Sequence, residues 1–398
     1  MKSSQLLRST DSVLNRGRAE FSRRGFLASC STALGWLTLA ELLGDSARCA
    51  EPPPALANLP TVDDEIRRAA AAAPLKMMFR GSTAEDLAAW QKEFTARLRE
   101  KTGPHLPPQQ WKVKSLSTRE LPDHTREELL LESDGVPSLP LYVLRPQGRS
   151  RLPIVLCLHG HGEFGHDAVA GVDDTPALRA SIANNNYDYG RQLARAGYLA
   201  VVPCFMPFGR RLDPKQRASR TDPCAVEFVR LMMLGRTLIG ENLRDAVWAI
   251  NYASTRPDAR ADRVGCVGLS YGGRMTMLVA ALEPRVQVAV ISGALNVFQE
   301  RVQGAGWSCG AQVIPGLLEI GDTPEIGSLI APRPAIWEAG LRDSLVVPGW
   351  QEQAVERLQR AYAAAGRPEN FQVHRFDGGH VWNGETAIPL LAKVLQQP

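Results

Sequence analysis

Arg263-Val264-Gly265-Cys266-Val267-Gly268-Leu269-Ser270-Tyr271-Gly272-Gly273-Arg274-Met275-Thr276 is the stretch that decides the fold. A short apolar run over 263–268 reads as a buried strand, and 273–281 reads as a helix. Between them stands Gly268-Leu269-Ser270-Tyr271-Gly272, a G-x-S-x-G on a strand-to-helix turn. A nucleophilic serine on so tight a turn adopts strained dihedrals, and side chains two residues to either side would collide there. Glycines at 268 and 272 remove that collision. The start of the following helix offers backbone N–H groups to a developing oxyanion. The plainer alternative is a glycine-rich turn with an ordinary serine, and the strand before and helix after favour the elbow. Ser270 is therefore the candidate nucleophile, and the N–H of Tyr271 a candidate oxyanion donor.

Working outward, the pattern on both sides is strands alternating with helices. Runs 126–132 and 139–145 flank Asp134-Gly135 and predict an antiparallel hairpin. Apolar runs follow at 153–158, 198–203, 286–291, 334–339 and 371–376, with helical stretches at 190–196, 241–254 and 351–365. This predicts an α/β fold, a mostly parallel sheet flanked by helices on both faces, spanning 120–398. Sites in such sheets lie beyond the carboxyl ends of the strands. Ahead of it, 61–115 reads as an N-terminal helical extension. Ser82-Thr83-Ala84-Glu85 has the form of a capping box, Leu87, Trp90, Phe94 and Leu98 recur at helical spacing, and Gly103-Pro104 closes the helix. Residues 51–60, rich in Pro and Ala, read as a linker.

Further motifs fall at the ends of the later runs. His159-Gly160-His161-Gly162 follows the run at 153–158, Leu329-Ile330-Ala331-Pro332-Arg333-Pro334 leads into a strand that ends at Gly340-Leu341-Arg342-Asp343, and Gly378-Gly379-His380 follows the last strand. With the elbow, these resemble the α/β-hydrolase superfamily in its dienelactone-hydrolase-like and acetyl-xylan-esterase-like branches, over roughly 120–398. The resemblance implies a triad in the order Ser270, Asp343, His380. Asp343 would fix the His380 tautomer and His380 would act as base. Asp322, Glu338 and Asp377 are the rival acids, and His374 reads as structural. The segment after the third strand would be the oxyanion loop, with His161 N–H as second donor and Gly162 as its alternative. The resemblance departs where that branch often has Gln after the nucleophile and an Arg-Gly-Gln oxyanion segment, so it does not by itself fix a xylan or cephalosporin specificity.

Other readings compete. His159, His161, Glu163 and His166 have the look of a metal cluster, but a segment straight after a strand fits an oxyanion loop better, and neither metal nor cofactor is expected. Insertions at 204–240 (Phe208, Arg210, Arg211, Met232, Met233) and 296–328 (Trp307, Cys309, Gln312) would shape the substrate pocket. Arg210 or Arg211 could meet a carboxylate or sugar hydroxyls, or be ordinary solvated charges. The leading function is a serine esterase acting on a small-molecule or glycan ester. The elbow through Thr276 is also similar to prolyl-oligopeptidase-like peptidases, though too few residues precede the hydrolase pattern for a propeller. A non-catalytic binding protein on the same fold is the third reading.

The 398 residues suit one large α/β domain with additions, or two small domains. Residues 1–50 carry seven Lys/Arg against four Asp/Glu, so only +1 of the overall +4 belongs to the remainder, and no nucleic-acid surface is implied. Within that segment Ser22-Arg23-Arg24-Gly25-Phe26-Leu27 precedes an apolar run to Leu43 and then Ala47-Arg48-Cys49-Ala50. This is the layout of a twin-arginine (Tat) export signal, which makes the Tat machinery a partner and the location periplasmic or secreted. An uncleaved anchor is the rival, and a buried N-terminal helix the plainer alternative. Cys157, Cys204, Cys224, Cys266 and Cys309, an odd number without CxxC spacing, argue against a disulfide framework or a zinc ribbon. Cys157 and Cys266 read as small core residues.

Overall fold

The computed structural model describes residues 59–219, 221–303, 309–345 and 349–397. The segment read as an export signal, most of the stretch read as a linker, and Trp307 lie outside the described residues. Nine strands form one sheet among the described residues: β1 (Lys112–Glu120), β2 (His124–Glu132), β3 (Leu139–Pro146), β4 (Leu152–Leu158), β5 (Leu199–Pro203), β6 (Ala259–Leu269), β7 (Val286–Ser292), β8 (Ala335–Gly340) and β9 (Phe371–Phe376). Their order across the sheet is β1-β2-β3-β5-β4-β6-β7-β8-β9. The first four neighbours pair antiparallel, and every ladder from β5 to β9 is parallel.

Side chains alternate between the two faces of each strand, and both faces are covered. On β4, Ile154, Leu156 and Leu158 join one core while Val155 and Cys157 join the other. On β6, Val264 and Cys266 face the first core, and Val267 and Leu269 the second. Helices Leu238–Ser254 and Tyr271–Leu282 cover one face; Tyr189–Arg195 and Ala387–Leu395 cover the other. The five described cysteines are buried and unbridged, Cys157 and Cys266 completely. Among the described residues no helix is long and apolar enough to cross a membrane.

Several elements differ from the sequence reading, among them the helices Pro176–Asn185, Pro223–Met233 and Ala387–Leu395, which have no counterpart in it. The strand β1 was not foreseen, because eight of its nine residues are exposed and it has no apolar face to show periodicity. It makes β4 the fourth strand rather than the third. The helix Ala84–Thr102 starts one residue later than the Ser82 capping box implied: Thr83 caps it, and Asp86 returns the bond. This helix packs into the core. Phe94 and Leu98 are fully buried among the same residues as the elbow helix, and Gln91 Nε2 donates to Ala331 O at 2.7 Å.

Candidate active site

Ser270 occupies the turn between β6 and the helix Tyr271–Leu282 with φ 64° and ψ −121°. A non-glycine residue in this region is strained, and the surroundings must hold it. They do so by close packing. A Cβ at Gly272 would lie 1.8 Å from Leu158 O, and one at Gly268 would lie 2.4 Å from the Gly272 carbonyl carbon. The Ser270 N–H donates to Ser292 O at 2.8 Å, extending the β6–β7 ladder through the turn. A second G-x-S-x-G, Gly306-Trp307-Ser308-Cys309-Gly310, was overlooked in the sequence reading. Its serine lies outside the described residues, and its last glycine opens a 3-10 turn (Gly310–Gln312) rather than an elbow helix.

His380 and Asp343 come together from the loops after β9 and β8. The bond between His380 Nδ1 and Asp343 Oδ2 is 2.7 Å, and the Asp343 side chain is almost wholly buried. Backbone bonds continue past the strand ends: Leu341 N–H to Phe376 O at 2.9 Å and Arg342 N–H to Gly378 O at 2.8 Å. Gly340 permits this approach, since a Cβ there would sit 2.2 Å from Gly379 O. The Leu345 N–H holds the other Asp343 oxygen at 2.9 Å. With its Nδ1 proton directed at the carboxylate, the His380 ring has Nε2 left as a base. That nitrogen is buried and makes no hydrogen bond among the described residues. Ser270 and His380 line one cavity of about 110 Å³ with His161, Gly162, Phe164 and Tyr187.

The rival acids are committed elsewhere. Asp322 accepts from the N–H groups of Phe298 and Gln299 and caps the helix Thr323–Ser328. Asp377 pairs with Arg342 on the surface. Glu338, whose pKa is raised by burial, accepts from the Ser292 hydroxyl and from Gly384 N–H, and so fastens the loop that carries His380. Sequence reasoning weighed Glu338 only as a triad acid and missed this clamp.

On the loop after β4, Gly160 N–H is taken up by Tyr187 Oη at 2.6 Å, which leaves the next residues, His161 and Gly162, beside the cavity. The Tyr271 N–H sits in the first turn of its helix, where no carbonyl of that helix can receive it. His159 serves the backbone: its Nδ1 donates to Gly160 O at 2.8 Å and its Nε2 accepts from Phe205 N–H at 2.8 Å. Burial brings its pKa down to about 4. The metal-like set His159, His161, Glu163 and His166 is not brought together. The group of potential ligands found among the described residues joins His161 to Cys224 and Cys309 instead.

A strained serine on a strand-to-helix turn, beside a carboxylate-bound histidine, sits here in a chain whose residues 70–381 match the Abhydrolase family. This chain belongs to the Abhydrolase family. The match begins within the N-terminal helical segment, which the sequence resemblance had not covered. Over 283 residues the chain is 25% identical to the "Putative hydrolase YtaP" of Bacillus subtilis (strain 168), covering 69% of this chain and 88% of that protein. In fold it is similar to a "putative acetyl xylan esterase" of Bacteroides fragilis NCTC 9343, with a TM-score of 0.71, 18% identity, and coverage of 85% of this chain and 96% of the other. A glucuronoyl esterase from Solibacter usitatus aligns with a TM-score of 0.57 and 15% identity over 81% of this chain and 97% of that one.

Within this Abhydrolase chain the two insertion arginines are already partnered. Arg211 is buried against Asp245 at 2.5 Å and Cys204 O at 3.0 Å. Arg210 binds Glu128, and its guanidinium donates to Tyr142 Oη at 2.6 Å. Neither lines the Ser270 cavity. Arg211, buried against an acid distant in sequence, is not the solvated charge weighed for it, whereas Arg210 remains an exposed charge that also reaches Glu128 and Tyr142.

Proposed function

We propose that this protein is a serine esterase that cleaves short acyl esters, and that its substrate is an acylated polysaccharide. The observation that carries the reading is the strained Ser270 sharing one small cavity with His380, whose Nδ1 is bound to Asp343. His380 Nε2 takes the Ser270 proton as Oγ attacks the ester carbonyl. Negative charge on the carbonyl oxygen is met by the N–H of Tyr271 and by that of His161 or Gly162. Asp343 stabilises the imidazolium, which then protonates the leaving alkoxide. Water, activated by the same histidine, releases the acid from the acyl-enzyme.

The cavity of about 110 Å³ is well below the ~300–1,000 Å³ typical of pockets for drug-sized ligands. It suits an acyl group as small as acetyl, with the alcohol moiety outside. The acetyl xylan esterase and glucuronoyl esterase among the structural neighbours favour carbohydrate esters as the class. The test is a panel of aryl esters of increasing acyl length, acetylated glycans, methyl glucuronates and peptide anilides. Acetyl esters should turn over fastest, with rates falling steeply as the acyl chain lengthens. Cleavage of anilides alone would move the assignment to a peptidase, and failure of a fluorophosphonate to label Ser270 would remove catalysis.

A further inference from the structure

His161, which lines the Ser270 cavity, also belongs to a group of unassigned chemistry. His161 stands in the loop after β4, Cys224 in the first turn of the helix Pro223–Met233, and Cys309 at the cap of the turn Gly310–Gln312. One ring nitrogen of His161 and the two sulfurs all lie within 4.8 Å of one another. Both cysteines are nearly inaccessible, at 3% and 1% exposure. The His161 ring packs against Phe208 and Tyr271, each at 5.2 Å between centroids. The two cysteine segments are pressed together: a Cβ on Gly310 would fall 2.6 Å from Phe228 Cβ and 2.8 Å from Cys224 O. The Ala311 N–H points at Cys309 Sγ from 3.3 Å, the kind of donor that steadies a thiolate.

We propose that His161, Cys224 and Cys309 form a binding site for a single thiophilic metal ion, zinc foremost, that ties the loop after β4 to both insertions. Two thiolates and an imidazole are a soft donor set, and three protein ligands leave a fourth position for water. Zinc–sulfur bonds of about 2.3 Å and zinc–nitrogen bonds of about 2.0 Å require ligand atoms roughly 3.5–3.8 Å apart in a tetrahedron. The present spacing closes to that by side-chain rotation of about 1 Å. On binding, each thiol releases its proton to solvent and the sulfur donates its electron pair to the cation, so no oxidant or reductant is needed. The site uses the imidazole of His161 and makes no demand on its backbone N–H. It stands whether or not the protein is an esterase.

The test uses the full chain, reduced and stripped of metal, titrated with cobalt(II) as a coloured stand-in for zinc. Thiolate-to-cobalt charge-transfer absorption should rise to saturation at about one equivalent and vanish on zinc addition, with protons released. Cys224→Ser and Cys309→Ser should each weaken zinc binding by more than about 100-fold, and the double variant should lose the band. A reduced wild-type chain that gives no charge-transfer band overturns the proposal without recourse to any variant. A band of equal strength in a folded double variant overturns it as well. A chain whose Cys224 and Cys309 resist reduction, being joined as a disulfide, also overturns it.

Discussion

Ser270→Ala should cut ester hydrolysis by about 10⁴- to 10⁶-fold while leaving the circular-dichroism spectrum and melting temperature in place. Activity near wild type would sink the assignment. Asp343→Asn should lower kcat strongly and leave KM almost unmoved, because the carboxylate acts on an imidazolium that exists only as the reaction proceeds. Its effect should be non-additive with His380→Ala. An almost silent Asp343→Asn beside a crippled Glu338→Gln that still folds would place the acid elsewhere. At this scale the order of residues was informative: a serine between glycines, an aspartate after one strand and a histidine after the next are local patterns. The meeting of Asp343 with His380 at 2.7 Å follows from two adjacent parallel strands ending side by side. The clamp made by Glu338 and the Arg211–Asp245 pair were not readable, since nothing near those residues announces partners brought in by the tertiary fold.

Two predictions belong to elements. Gly272→Ala should destabilise the protein by on the order of 1–3 kcal/mol and remove most turnover, because the added methyl meets the backbone of β4 rather than a movable side chain. Thermal melting and kcat measured together check it. His159, which bridges the ends of β4 and β5, has its folded pKa brought down from 6.5 to about 4 by burial. The unfolded chain therefore takes up that proton first as pH falls. Its contribution is complete above 6.5 and is lost progressively toward 4, at ~1.4 kcal/mol per pH unit. Wild type should accordingly lose on the order of 2 kcal/mol relative to His159→Gln between about pH 7 and about pH 5, read from urea midpoints. A difference that stays constant with pH would contradict it. The helices Ala84–Thr102, Leu238–Ser254 and Trp350–Ala364 and the buried strands declared themselves through periodicity and caps. The strand β1 did not, because its pairing with β2 is a backbone matter and its side chains face water.

For the molecule as a whole, the twin arginines carry a prediction that the fold does not touch. Arg23→Lys with Arg24→Lys should leave precursor in the cytoplasm, checked by fractionation and immunoblotting. Normal periplasmic accumulation of the double variant would dismiss the Tat reading. The α/β architecture followed from the alternation of short apolar runs with helical stretches, whereas sheet order and the burial of the N-terminal helix needed long-range packing that periodicity does not encode. The outermost strand has one further consequence. An open sheet edge invites another chain to add a strand. Here that edge carries Lys112, Lys114, Arg119 and Glu120, and its register slips between Ser115 and Ser117. An incoming strand would have to desolvate these charges and follow an irregular ladder, so β1 acts as a guard against fibre growth at one of the two sheet edges among the described residues.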